Sequence, residues 1–358
     1  MITALTTALA ALAMQSPTET PSDAEIEAAL AAAYVPGLAV VRLRDCEAEP
    51  ARLFGVRDTL TGESVDQRTV FEAASLTKPV FAYLVMQAVD ARQIDLDASV
   101  ADTIEEPRIL FDDAYARLTP RRLLSHQSGL PNWSGDAMDW DRINRLSFIF
   151  EPGARMSYSG EGYQLAQRYF EARAGESFEA AFAEALGGAM PRSALARPMP
   201  ETAVPAGGHN DEGRRDNGGR ALNLAEDGNA AHSLVTTASD YAAFTARVCS
   251  GDGLSKDSWE AMLTPQIALQ GDEWTGETLD FGEAELSWAL GWGVHELDDR
   301  TTYFHWGDNG QFKAFVAFDR ETGDGLVMLA NGENALRLVE PLATPVFGDI
   351  NAAIAFSD

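Results

Sequence analysis

The order of the predicted secondary structure restricts the fold of this chain more than any other feature. Strand-like patterns lie at both ends of the chain and enclose a mostly helical middle. The strands are predicted at residues 37–43, 52–56, 287–295, 301–305, 312–319 and 325–331. The helices are predicted at residues 24–33, from Pro79 onward, and at 119–124, 162–173, 177–186, 239–248, 255–264 and 334–347. This order predicts an α/β (α+β) fold, in which an antiparallel sheet built from both chain ends is covered by helices and carries an inserted, mostly helical domain.

The domain boundaries follow from the same pattern. We predict a sheet domain formed by residues 24–74 and 235–358, and a helical domain formed by residues 75–234. Residues 196–229 are rich in Gly, Pro and charged residues, which predicts a long surface loop or flap in which His209 is solvated. A cleft is expected where the two domains meet.

Composition excludes several partners. The 358 residues include 27 Lys and Arg against 55 Asp and Glu, a formal net charge of −28, so no basic stripe for nucleic acid exists. The five histidines show no metal-ligand spacing, and no phosphate-binding glycine loop or G-x-S-x-G motif is present, so we predict no metal or other cofactor. Cys46 and Cys249 form no C-x-x-C motif and could pair only if the fold brings them together.

Residues 1–23 are predicted to be a signal peptide and a spacer. Residues 1–13 are uncharged and apolar, Ala11–Ala13 resembles a small-x-small cleavage site, and residues 16–23 are rich in Ser, Thr, Pro and Glu. This pattern predicts export to the periplasm or the medium. No Lys or Arg precedes the apolar run, so the alternative is an unprocessed N-terminal helix on a cytoplasmic protein. No other stretch reaches the roughly 18 apolar residues of a membrane span.

A serine and a lysine share one face at the start of a predicted helix. Ser75 and Lys78 are three positions apart, which places their side chains close enough for a hydrogen bond. Pro79 indicates the first helical turn, and Phe81, Leu84, Val85 and Ala88 recur at a spacing that predicts a helix with one buried face. Ser75 would therefore lie at the positive end of the helix, where backbone N–H groups favour a forming oxyanion.

Lysine usage argues that this pair is functional. The pattern S-x-x-K is weak by itself, because an N-terminal capping serine followed by a surface lysine gives the same letters. The chain, however, contains only three lysines, Lys78, Lys256 and Lys313, and the other two have glycine three positions earlier. We therefore interpret Ser75 as a candidate nucleophile and Lys78 as its base.

Two later segments could complete such a site. Tyr158 lies between small residues on a loop just before a predicted helix, where its hydroxyl would be little shielded. His305 lies near the point where one predicted strand turns into the next, and Gly307 would let another backbone approach closely. His126 is interpreted as a hydrogen-bonded structural residue rather than a second base. Several tryptophans could line an acyl pocket, although core packing is the favoured interpretation of each: Trp133, Trp140, Trp274 and Trp288.

These segments resemble the three motifs of the serine β-lactamase and penicillin-binding-protein-like superfamily. The motifs, in chain order, are Ser75-Leu76-Thr77-Lys78, Tyr158-Ser159-Gly160 and His305-Trp306-Gly307. Framework segments at residues 123–130, 234–240 and 290–293 agree with the resemblance, which runs from about residue 25 to the C-terminus. It is closest to the branch of class C β-lactamases, D-stereospecific peptidases and β-lactamase-like carboxylesterases, and it implies the same two-domain architecture.

The resemblance assigns a role to each matching position. It implies that Ser75 is acylated, that Lys78 lowers the barrier to this step, and that Tyr158 shuttles protons beside His305. The backbone N–H groups of Ser75 and Asp308 would form the oxyanion hole. Lys78 can act as a base only when neutral, and burial near a cation lowers a lysine pKa. Whether Lys78 or Tyr158 takes the first proton stays open.

Two departures from the lactamase pattern affect the predicted substrate-binding positions Gly160, Trp306 and Gly307. Gly160 stands where lactamases carry an asparagine whose amide contacts a substrate amide. His305 and Trp306 replace the lysine and the hydroxyl residue that help bind a substrate carboxylate. Both changes remove recognition groups and leave the acylation residues in place.

We therefore predict a serine hydrolase that acts through an acyl-enzyme on carboxylic esters or small amides. A β-lactamase or D-stereospecific peptidase is the alternative of the same class. A penicillin-binding or sensing protein that is acylated without turnover is the alternative of a different class. In each case the predicted partner is a small-molecule ester, amide or lactam.

Overall fold

The computed structural model describes residues 20–109, 112–134, 145–215, 221–269 and 284–357. The helices in this part of the chain are α1 (Asp23–Ala33), α2 (Thr77–Asp90), α3 (Pro120–Leu124), α4 (Gly160–Ala174), α5 (Phe178–Leu186), α6 (Ala238–Ser250), α7 (Lys256–Leu263), α8 (Val339–Phe347) and α9 (Asn351–Ser357). The strands are β1 (Gly37–Arg44), β2 (Glu47–Ala48), β3 (Arg52–Asp58), β4 (Glu63–Ser64), β5 (Thr69–Glu72), β6 (Val204–Pro205), β7 (Val235–Thr236), β8 (Ile267–Ala268), β9 (Glu285–Trp288), β10 (Gly293–Leu297), β11 (Arg300–Asp308), β12 (Lys313–Phe318) and β13 (Gly325–Ala330).

One large antiparallel sheet joins the two ends of the chain. Its strand order is β4-β3-β1-β13-β12-β11-β10-β9-β8, with β2 paired to β1. The N-terminal strand β1 pairs with β13, so that Val40 lies opposite Met328. The predicted fold class, a sheet built from both chain ends and covered by helices, is confirmed. The predicted domain boundaries stay a prediction.

The central strands of this sheet are buried on both faces. In β12, Phe315 and Ala317 contact the apolar core under α1 and α8, whereas Ala314, Val316 and Phe318 face the core on the side of α6 and the helical segment. This double burial explains why β12 and β13 are nearly continuous apolar runs instead of alternating apolar and polar residues.

Helix α2 forms the centre of the helical segment. The predicted helix has one buried face, but almost every residue from Thr77 to Met86 is buried in the structure. The ring of Phe81 contacts the rings of Tyr163, Phe170 and Phe178, with centroids 6.2, 5.7 and 5.2 Å apart. The one-face prediction was wrong because the amphipathic pattern describes only the strongest stripe of a helix that neighbours surround.

Most predicted elements lie where the sequence places them, with three corrections. The segment 287–295 is two strands, β9 and β10, because the chain reverses through Gly291, whose φ of +86° favours glycine. The helix predicted at 334–347 begins as a 3₁₀ turn, Ala335–Leu338, before α8. Helix α9 and the short strands β2, β4, β5, β6, β7 and β8 were not predicted.

The loop at residues 196–229 is attached to the sheet more firmly than predicted. His209 is fully buried, Asn331 O lies 2.8 Å from His209 Nδ1, and the Thr59 N–H donates to His209 Nε2 at 3.2 Å. The prediction that His209 is solvated was therefore wrong, since its two ring nitrogens fix the loop to the residues that follow β3 and β13. Residues 216–220 of this loop lie outside the described residues.

A disulfide bond joins Cys46, after β1, to Cys249 in α6. The two residues are 203 positions apart in sequence, and their Cα atoms are 5.5 Å apart. The bond therefore connects the first hairpin to the helix that covers the same face of the sheet. The predicted leader, including Ala11–Ala13, lies outside the described residues. Where the structure does describe the chain, it contains no helix of the length and apolarity needed to cross a membrane.

Replacing both cysteines by serine should lower the free energy of unfolding by about 2 to 5 kcal/mol, because the unfolded chain regains the freedom that a long closed loop removes. Urea unfolding of the oxidised protein and of the Cys46→Ser/Cys249→Ser variant measures this difference. The reduced wild-type protein is the control and should resemble the variant. Equal stability of the oxidised protein and the variant would contradict the expected contribution.

Candidate active site

Ser75 lies in a strained turn between a strand and a helix. Strand β5 ends at Glu72, and Ala74–Leu76 form a 3₁₀ turn that leads into α2. Ala74 has a φ of +49°, which is unfavourable for a residue with a side chain. Thr77 stabilises the turn, since its Oγ1 donates to Ala74 O at 2.6 Å and accepts the Leu234 N–H at 2.9 Å. These contacts hold Ser75 half-buried at the N-terminal end of α2.

Lys78 is buried with few polar partners. Its Nζ lies 3.1 Å from Ser75 Oγ and donates to Ala231 O at 2.7 Å. The same atom lies 4.6 Å from the ring centroid of Tyr158 and 5.5 Å from that of Tyr163. Burial lowers the pKa of Lys78 well below its usual value. No ion pair to Lys78 is found within the described ranges, so the neutral amine, which can accept a proton, is favoured.

Tyr158 is enclosed by aromatic rings. It precedes α4, whose N-cap Ser159 accepts the Gly162 N–H at 2.8 Å. The ring centroids of His126, Trp306 and His305 lie 4.2, 5.3 and 6.0 Å from that of Tyr158. The structure therefore brings the predicted residue Tyr158 against both Lys78 and His305.

His305, in β11, is a neutral imidazole. The ring is fully buried, and Nδ1 lies 2.7 Å from Trp306 O, a contact that requires the proton on Nδ1. Burial and the nearby charge of Lys78 lower the pKa of His305 to about 3. Nε2 has no hydrogen-bond partner among the residues that the structure describes. Its lone pair is thus available for a proton donor within the site.

Gly307 allows β11 to approach the residue that precedes the turn. A Cβ atom at Gly307 would lie 2.2 Å from Ala73 O, so no other residue fits without displacing the backbone. The carboxylate of the next residue, Asp308, forms an ion pair with Lys313 Nζ at 2.6 Å and accepts the Gly310 N–H at 2.7 Å. Strand β11, which ends at Asp308, packs against the 3₁₀ turn that contains Ser75. The shared role of Asp308 and Ser75 as an oxyanion hole stays a prediction.

The sequence did not predict that His126 belongs to this site. Its predicted structural hydrogen bond is confirmed, since Nδ1 accepts the Ser159 N–H at 3.0 Å. The ring also stacks on Tyr158, however, and its pKa is lowered well below the usual value by burial and by the charges of Lys78 and His305. The contact between His126 and Tyr158 joins segments 32 residues apart and cannot be read from the sequence, in which the signal was the framework segment at 123–130.

The remaining predicted positions surround this centre. Trp306 is half-buried and packs against Tyr158 and Phe356. Gly160 begins α4 and lies under the indole of Trp133. Trp288 is buried in the aromatic cluster, as core packing predicts, whereas Trp133 is 42% exposed, so core packing was the wrong interpretation of that residue. Trp140 and Trp274 lie outside the described residues. In the described part of the chain, no group of three or more His, Cys, Asp or Glu side chains could hold a metal ion.

A serine hydroxyl beside a buried amine, at a helix start and near a tyrosine, is an arrangement that serine acyl hydrolases use. The model of the beta-lactamase family matches residues 23–344. The chain therefore belongs to the beta-lactamase family, whose fold is that of the β-lactamase and penicillin-binding-protein serine hydrolases.

The chain is also similar to individual proteins. It is 26% identical over 331 residues to penicillin-binding protein 4 of Amycolatopsis lactamdurans. This match covers 88% of the present chain and 86% of that protein. It is 33% identical over 125 residues to esterase EstB of Burkholderia gladioli, a match of 34% of this chain and 32% of that protein.

Solved structures give the same fold. The octameric penicillin-binding protein homologue of Pyrococcus abyssi has a TM-score of 0.71 at 20% identity and covers 90% of this chain and 76% of its own. SurE has a TM-score of 0.69 at 26% identity, and the match covers 90% of this chain and 73% of SurE. The D-alanine carboxypeptidase AmpC of Burkholderia cenocepacia has a TM-score of 0.68 at 18% identity and covers 93% and 95%.

The depressed pKa of His305 predicts an acid-sensitive fold. Between the unfolded pKa of about 6.5 and the folded pKa of about 3, the unfolded chain binds a proton that the folded chain does not. His305 therefore costs no stability above about pH 6.5 and destabilises the fold increasingly as the pH falls toward 3. On acidification over this range, the free energy of unfolding should fall less steeply in the His305→Gln variant than in the wild type. The difference between the two slopes should be at most about 1.4 kcal/mol per pH unit.

Urea midpoints measured from pH 7 to pH 4 test this expectation. Ile149→Ala is the control, because it changes an exposed apolar side chain and no titrating group. Parallel pH profiles for the wild type and His305→Gln would show that His305 does not titrate in this way.

Proposed function

We propose that this protein hydrolyses carboxylic esters or small amides through a covalent acyl-enzyme on Ser75. The observation that carries the proposal is the 3.1 Å contact between Ser75 Oγ and a buried Lys78 Nζ. A buried lysine without a carboxylate partner loses its proton easily and can then accept the proton of the adjacent hydroxyl.

The proposed reaction has two balanced steps. The Ser75 hydroxyl proton passes to the Lys78–Tyr158 pair while Oγ bonds to the substrate carbonyl carbon, and the carbonyl oxygen becomes negative beside the N–H groups of Ser75 and Asp308. The C–O bond to the leaving group then breaks, and the alkoxide takes the proton to leave as an alcohol. A water molecule repeats the sequence on the acyl-enzyme and releases the acid and free Ser75.

Two positions support ester over β-lactam hydrolysis. Gly160 offers no side-chain amide, and Trp306 offers no hydroxyl for a substrate carboxylate. The name of esterase EstB agrees with this preference, although the match covers a third of each chain. The disulfide between Cys46 and Cys249 supports the further proposal that the protein works in an oxidising, exported location.

Ser75→Ala should lower kcat/KM for p-nitrophenyl acetate by about three orders of magnitude or more, because the acyl-enzyme cannot form. Steady-state release of nitrophenol measures the effect. Ser250→Ala is the matched control, since Ser250 is an exposed serine that bonds only to carbonyls of its own helix. Full activity of Ser75→Ala would contradict the proposed function.

Lys78→Met should lower the same kcat/KM by about two to four orders of magnitude, because it removes the proton acceptor and keeps an unbranched side chain. Wild-type activity should fall on acidification, since the neutral form of a lysine with a depressed pKa is lost as the pH falls through that pKa. Lys256→Met is the control, because Lys256 is exposed on α7. Activity of Lys78→Met close to that of the control would rule out Lys78 as the base.

A second candidate function rests on the long match to penicillin-binding protein 4. Such a protein would be acylated by a β-lactam and would release the product slowly or never. Intact mass after incubation with benzylpenicillin and, separately, with an acetyl ester distinguishes the functions. A persistent adduct on Ser75 with no ester turnover would favour the penicillin-binding function, and rapid turnover of a chromogenic cephalosporin would favour a β-lactamase or D-peptidase.

A further inference from the structure

Trp133 occupies the space that a side chain at position 160 would need. A Cβ atom built on Gly160 would lie 2.6 Å from Trp133 Cη2, 2.7 Å from Cζ2 and 3.0 Å from Asn132 O. Contacts below 3.0 Å require a displacement, so a side chain at 160 fits only if the indole moves from its present position. The position that lacks an amide is therefore filled by an aromatic ring from another segment.

Hydrogen bonds on both sides hold Trp133 in this place. Asn132 Oδ1 accepts the Gly160 N–H at 2.9 Å, and Asn132 O accepts the Glu161 N–H at 3.1 Å. On the other side, the N–H and Oγ of Ser134 donate to Glu161 Oε1 at 3.1 and 2.6 Å. The segment 132–134 is thus bound to the first turn of α4 before and after the tryptophan.

The Glu161 carboxylate that binds Ser134 is itself held by an ion pair. Glu161 is buried, and its Oε2 pairs with Arg108 Nη1 at 2.8 Å. Arg108 also pairs with the buried Glu106 at 3.0 Å. A Trp that is 42% exposed would be free to move on an ordinary surface loop, but here a buried ionic network fixes the backbone on which it stands.

The other edge of Trp133 reaches the second segment that contacts Lys78. Its ring centroid lies 5.6 Å from that of His232, in an edge-to-face arrangement. His232 follows Ala231, whose carbonyl accepts from Lys78 Nζ, and the charge of Lys78 together with burial lowers the pKa of His232. Trp133 therefore extends from the start of α4 to His232, the neighbour of the residue whose carbonyl accepts from Lys78 Nζ.

We propose that Trp133 is a specificity-determining residue whose indole, backed by Gly160 and His232, selects substrates with apolar acyl groups. The proposal rests on the proposed function, since it assigns the acyl side of the same site. An acyl chain that packs against the indole removes apolar surface from water. The amide group of a peptide or β-lactam side chain would find no partner on this surface and would lose its hydrogen bonds to water.

A series of p-nitrophenyl esters with acetyl, butyryl and octanoyl groups tests the proposal, because the leaving group is constant. In the Trp133→Ala variant, the ratio of kcat/KM for octanoate to kcat/KM for acetate should fall about tenfold, as expected for lost contact with one aromatic face. Ile149→Ala, which shortens another exposed apolar side chain, should leave the ratio unchanged. Trp133→Phe should lie between the wild type and Trp133→Ala.

An unchanged ratio in Trp133→Ala, with circular dichroism like that of the wild type, would overturn the proposal. A second series with one acetyl group and different alcohols separates the two sides of the substrate. If Trp133→Ala changed the preference for the alcohol and not for the acyl group, the assignment to the acyl side would be wrong. If Ser75→Ala is inactive and Trp133→Ala keeps the acyl ratio of the wild type, this inference alone is rejected. If Ser75→Ala is active, the proposed function is rejected.

The overlap between the indole and a side chain at 160 gives an independent test. Gly160→Asn should lower the thermal midpoint and the activity on acetate, because the new side chain collides with the indole. The double variant Trp133→Ala/Gly160→Asn should recover part of both losses, a non-additive result that only residues in contact give. Strictly additive effects would show that the two positions act separately, and they would contradict the proposed contact between the indole and a side chain at 160.

Discussion

The burial of Lys78 is the interaction on which the rest of the site depends. An ammonium group in a protein interior requires compensation, and here Nζ meets one carbonyl, one hydroxyl and two aromatic faces. This environment favours the neutral amine. Two further titratable rings, His126 and His305, lie near the same centre, and burial lowers the pKa of each. Burial therefore shifts all three groups toward their neutral forms, and in the proposed reaction a neutral amine could accept the proton of Ser75.

The fold makes this environment by packing β11, an inner strand of the large sheet, against the 3₁₀ turn at the start of α2. Ser75 and Lys78 belong to the turn before α2 and to α2 itself, His305 to β11, and Tyr158 to the loop before α4. Gly307 is the point of closest approach, since its missing side chain leaves room for the carbonyl of Ala73. The strained φ of Ala74 is maintained because both neighbouring elements are packed in the core.

Local features of this arrangement could be predicted from the sequence, and features that join distant segments could not. Ser75 and Lys78 are three residues apart, so helix geometry alone places them together. The pairing of Cys46 with Cys249 depends on α6 lying over β1. The stacking of His126 on Tyr158 and the burial of His209 likewise depend on tertiary contacts. The break at Gly291 was missed because an apolar run through a buried turn looks like one long strand.

The proposed acylation residues Ser75 and Lys78 lie on a different segment from Trp133, which would allow one to change without the other. Lys78 is fixed by the core around α2, whereas Trp133 is fixed by Asn132, Ser134 and the anchored carboxylate of Glu161. Under the proposed function, a substitution at 160 would therefore alter recognition while the contact between Ser75 and Lys78 is kept. Because an indole already lies in the space beside Gly160, introducing a side-chain amide at 160 would require changes at two positions rather than one.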